Sequence, residues 1–103
     1  MIKDKPRVEG YWYSKHDPDL PKPEIHALPF KKQTPFLNKL GRLERRATEH
    51  YYKGWSTCRI CGKHNGSTEY ELGKWRWPYG FSHYVADHNL RPSRDFYDFV
   101  MSR

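Results

Sequence analysis

Cys58 and Cys61 are the only cysteines of the chain, and two residues separate them in the stretch GWSTCRICGKHNGS. Thiolates at that spacing fall on one side of a tight turn and supply half of a tetrahedral zinc site. The later stretch HYVADH adds His83 and His88, with four residues between them. The composite pattern is C-x2-C-x21-H-x4-H, and its order and local spacings are those of a two-cysteine, two-histidine site. The central gap is longer than usual and leaves room for a hairpin. Cys58, Cys61, His83 and His88 are therefore the expected metal ligands, and zinc the expected ion. His88 carries a geometric difficulty. Five helical positions rotate a side chain by about 500°, so both histidines reach one ion only if the helix loosens at its end. Asn89 can supply that end. Asp87, one turn after His83, and His64, just after the cysteine turn, are the alternative fourth ligands. Disulfide exchange would need a strand, then Cys-x2-Cys, then a helix. Here GKHNG follows Cys61 and reads as a turn.

The elements that must position these residues are legible in part. Residues 1–34 read as an extended arm rich in proline and aromatic residues. Proline removes donors and restricts its predecessor, so only VEGYWYS suggests a short strand, with Tyr11 and Tyr13 on one face. Residues 35–53 predict a basic helix, with Thr34 as cap, Pro35 at its start and Gly54 as its stop. Its apolar stripe is Leu40, Leu43, Ala47 and Tyr51, with Phe36 at the edge. Gly41 in its interior costs about 1 kcal/mol relative to alanine and suggests a kink or a close approach by another element. Residues 55–63 hold the cysteine knuckle. Residues 68–77 predict a hairpin turning at Gly73-Lys74 through a II′ turn, with Trp75 and Trp77 on one face and Arg76 on the other. Residues 79–89 and 93–102 predict two further helices, the last capped by Ser93 with Phe96, Phe99 and Val100 inward. The expected fold is a small α+β domain: residues 35–103 stapled by zinc and preceded by the arm.

Composition sets limits on what such a domain can do. At 103 residues one domain is expected, and a core of that size gains from a staple. Hydrophobic residues make up 36% and aromatic residues 17%, which favours a small, ring-rich core. No stretch has the length of a membrane span, and the first residues lack the apolar core of a signal peptide. A cytoplasmic location is the expectation, where thiols stay reduced and bind metal rather than pair. The net charge is +7, and residues 31–66 carry nine lysines and arginines against two acids, so the whole excess lies there.

Three runs carry a resemblance: WSTCRICG, then NGS, then WPYGFSHYVADHNLRP. They resemble a group of small uncharacterised prokaryotic and phage proteins with the pattern W-S-x-C-R-x-C-G … W-P-x-G-x-x-H-Y-V-x-x-H. The matched positions include Cys58, Arg59, Cys61, Asn65, Gly66, Ser67, Trp77, Pro78, Gly80, His83, Tyr84, Val85 and His88. The resemblance implies one domain and a shared metal site, and it implies no mechanism.

Two classes of function follow. Lys39, Arg42, Arg46 and Lys53 on the helix, with Arg59, Lys63 and Arg76 near the knuckle and hairpin, form a basic set suited to nucleic acid. The same set, with the aromatic arm, suits docking on an acidic protein surface. A zinc hydrolase or nuclease needs an open coordination position, and KHNG is too short a string to specify one. No phosphate loop or serine–histidine–aspartate arrangement is present, and no small-molecule substrate is expected. Histidines outside the ligand set have plainer readings, His64 as a solvent-exposed turn residue and His50 as packing. Glu69 and Glu71 share a hairpin face, where solvation or pairing with Lys63 or Arg76 is expected rather than catalysis.

Overall fold

In the computed structural model, residues 7–12, 18–51 and 57–103 are described. Lys53, Gly54, Tyr13, His16 and the first residues of the expected knuckle lie outside them. Among the described residues, three helices pack on one face of a four-stranded mixed sheet, an α+β arrangement. None of the helices is long and apolar enough to cross a membrane.

Helix α1 spans Gln33–Arg46, with Pro35 in its first turn where a missing N–H costs nothing. Phe36, Leu40 and Leu43 recur at helical spacing and are buried. The helix ends seven residues before the expected position 53. Ala47 turns extended, with ψ 155°, and Thr48–Tyr51 form strand β2. The sequence TEHY is rich in β-branched and aromatic residues, and helix propensity is a weak preference that pairing overrides. Tyr51, expected on the buried stripe, is instead 74% exposed on an edge strand.

Strand β3, Thr68–Leu72, pairs antiparallel with β2 on one side and with β4, Trp75–Pro78, on the other. The β3–β4 turn is Gly73-Lys74. Gly73 has φ +61°, and Lys74 is not among the residues with positive φ, as the II′ turn requires. Tyr70, Trp75 and Trp77 point inward and are buried. On the opposite face, Arg76 pairs with Glu69 at 3.6 Å and Glu71 at 3.3 Å, and His50 contacts Glu71 at 2.8 Å. Strand β1 is only Arg7–Val8 and runs parallel to β4. Tyr11 and Trp12, expected in that strand, lie beyond it.

The arm wraps the domain rather than standing apart from it. A Cβ on Gly10, which has φ +83°, would fall 2.6 Å from the Phe81 ring, so only glycine admits this approach. Phe30 packs edge-on against Phe36 and Tyr97. Glu9 accepts from the Ser93 N–H at 2.6 Å and from its hydroxyl at 2.8 Å. Ser93 in turn caps helix α3, Arg94–Met101, by accepting from the Phe96 N–H. Phe96 sits at the centre of the core, with its ring against Trp75, Trp77, Phe81 and Phe36.

Candidate metal centre

The segment holding the cysteines closes on itself through its backbone. The Cys58 N–H donates to the Lys63 carbonyl at 2.8 Å, and the Gly62 N–H donates to the Cys58 carbonyl at 2.9 Å. The Ile60 N–H lies 3.4 Å from Cys58 Sγ. Thr57 and His64 bridge across the base of the turn. Tyr84, on the next helix, accepts from the Arg59 N–H at 2.8 Å and so ties the turn to that helix. Its ring is buried and meets Trp12 edge-on, and burial pushes its phenol up to about 12. Tyr84 lies in the H-Y-V run of the resemblance, but nothing in the sequence pointed to its role in tying the turn to the helix.

Helix α2, Phe81–His88, buries Phe81, Tyr84 and Val85. That leaves the neighbouring His83 at the edge of the core, facing the cysteine turn. The helix ends at His88 because Asn89 takes a left-handed conformation, φ 55° and ψ 31°, and returns its N–H to the Tyr84 carbonyl. Asn89 is held there by Gln33 Nε2, at 3.1 Å from its Oδ1, and by its own Nδ2 donating to the His26 carbonyl at 3.1 Å. This resolves the rotation problem raised by four intervening residues. The two imidazole centroids are 5.0 Å apart at 85°.

Cys61 Sγ lies 3.3 Å from His83 Nε2, and Cys58 Sγ lies 3.5 Å from His88 Nε2. All four donor atoms fall within 4.8 Å of one another, so this cluster could hold a metal ion. Cys58 is buried and Cys61 exposed, so the centre sits at the surface with one side in the core. Asp87 Oδ2 lies 3.1 Å from His83 Nδ1. It sits behind His83 rather than in the cluster, and a carboxylate there orients the ring and leaves Nε2 for an ion. His64 is likewise outside the cluster.

The basic residues do not gather into one face. Lys39 Nζ donates to the Met101 and Arg103 carbonyls at 3.1 and 3.3 Å, where a cation offsets the negative end of α3. Arg76 is held by two glutamates. The Arg59 guanidinium folds back onto the carbonyl and hydroxyl of Thr57. Lys63 is exposed beside the turn. Arg42 and Arg46 are exposed on α1, and so is Arg45, which the sequence reading passed over. Arg42, Arg45 and Arg46 sit three and four positions apart and therefore share a helix face.

No family model matches the chain, and no curated protein or solved structure matches it either.

Proposed function

We propose that the chain is a zinc-stabilised module that binds nucleic acid through the exposed arginines of α1. The observation that carries the first half is the convergence of two cysteine sulfurs and two histidine Nε2 atoms. Zinc bonds of about 2.3 Å to sulfur and 2.0–2.1 Å to nitrogen place tetrahedral S···N edges at about 3.6 Å. The two S···N separations of 3.3 and 3.5 Å approach that value. Two thiolates with two imidazoles suit zinc among the common divalent ions. Four protein ligands fill a tetrahedron, so the ion's role is structural, and it links the cysteine turn to α2 across 21 intervening residues.

The second half is supported by charge that the fold leaves unspent. Among the described residues no carboxylate pairs with Arg42, Arg45 or Arg46, whereas Arg7, Arg76 and Arg94 are all paired. Unpaired arginines on one face attract phosphates and release counterions. The test is binding of a labelled single-stranded oligonucleotide over a salt series, for the wild type and for R42E/R45E/R46E. Salt-sensitive binding that the triple variant loses while still melting cooperatively supports the reading. Binding unchanged in the variant would remove it. The docking alternative finds support in Ile25 and Leu28, 59% and 73% exposed on the arm. Most of the arm's described aromatic contacts, in contrast, are made to its own domain.

A further inference from the structure

A cleft of about 500 Å³ opens beside the metal centre, between α1, the segment after Cys61 and the start of α2. That volume is typical of small-ligand pockets. Three residues shape its wall, and two of them, Gly41 and Glu44, burden the fold. Gly41 weakens the interior of α1 by about 1 kcal/mol. A Cβ there would meet no atom within 4 Å, so the close approach expected of another element does not occur and the glycine only keeps the cleft open. Asn65 is 6% exposed, and it lines the cleft. Its burial also requires Gly80, where a Cβ would lie 2.3 Å from the Asn65 side chain. Glu44 is a sparsely solvated carboxylate. Its Oε2 accepts from Trp77 Nε1 at 2.9 Å, and among the described residues no other group bonds it.

Local features that cost stability without a structural return concentrate where a ligand supplies the return. Here they surround one space. The wall offers a carboxylate acceptor at Glu44, an amide at Asn65 and a hydroxyl at Ser82, and Lys63 stands at the same cleft. Tyr79, half exposed, adds an aromatic edge. Arg45 lies one helical turn beyond Gly41 and so continues the cleft toward the basic face of α1.

We propose that this cleft receives one unpaired guanine base of a bound nucleic acid strand, with Glu44 accepting from its N1–H and N2–H. Once ionised, the Glu44 carboxylate is acceptor-only and selects a base edge bearing adjacent donors, and guanine's Watson–Crick edge provides two. The Asn65 amide faces the same space and can donate to O6. Lys63 meets an adjoining phosphate. Bases splayed from a single strand are read in this way, by edge hydrogen bonds within a small pocket. The inference rests on the nucleic-acid reading above and adds a base preference to it.

The test uses the full, zinc-loaded chain and labelled oligothymidylates in which one central position is G, A, C or T. The expected result is at least a tenfold preference for the G strand. E44Q should level that preference while leaving the salt-sensitive binding common to all four strands, and G41L, which adds a bulky side chain to the cleft wall, should do the same. Both variants should still melt cooperatively, E44Q at a higher temperature than the wild type. Equal binding of the four strands by the wild type would overturn the guanine pocket and leave the nucleic-acid reading standing. Binding of none of them at low salt would overturn both. A G preference that persists in E44Q would remove Glu44 as the reader and with it the proposal.

Discussion

Replacing Glu44 with glutamine should stabilise the protein, and by an amount that depends on pH. Burial raises this carboxyl from its ordinary value of 4.5 to about 7, and the Trp77 hydrogen bond pulls it back only in part. The folded chain therefore prefers the protonated acid. The unfolded chain ionises first as pH rises through 4.5, so stability falls between 4.5 and about 7 and then levels. At about 1.4 kcal/mol for each tenfold change, the full cost is roughly 3 kcal/mol above pH 7. Glutamine keeps an acceptor for Trp77 and never ionises. Urea denaturation of zinc-saturated wild type and E44Q should differ by about 1 kcal/mol at pH 5.5 and about 3 kcal/mol at pH 8. Lys63, His64 and His83 line the same cleft and are common to both proteins. A difference that stays flat from pH 5.5 to 8 would refute the reasoning, because it would mean that Glu44 ionises as an exposed carboxylate does.

Three other perturbations follow from the same geometry. G41A should add about 1 kcal/mol of stability, since the new methyl meets nothing within 4 Å; a loss on thermal melting would show that the helix is crowded there. D87N should weaken zinc affinity by about 10- to 100-fold, measured by competition with a chromophoric chelator, because Asp87 orients His83 through Nδ1; unchanged affinity would make that contact incidental. S93A should cost about 1 kcal/mol, as it removes both the α3 cap and one of Glu9's two donors; a melting curve superimposed on the wild type's would contradict this.

The parts of the fold that local chemistry decides were legible in the sequence. The spacing of Cys58, Cys61, His83 and His88 anticipated the residues that the fold brings together. Gly73-Lys74 marked the hairpin, Ser93 the start of α3, and Asn89 the end of α2. Features set by distant partners were not legible. Residues 48–51 continue a helical apolar pattern, and only pairing with β3 turns them into a strand. The parallel pairing of Arg7–Val8 with β4 has no local signal. Lys39 looks like free surface charge until the end of α3 is placed beside it. Glu44 looks like one acid in a basic helix, and its burial appears only when Trp77, 33 residues away in the chain, donates to it.

The central claim is that one zinc ion joins the cysteine turn to α2, and native mass spectrometry of the protein as purified from cells tests it most directly. The account predicts one zinc per chain, lost on acidification, and absent from C58S and H83A, both of which should lose cooperative melting. A metal-free chain that melts cooperatively, at a temperature zinc does not change, would contradict it and leave Cys58 and Cys61 as packing residues alone.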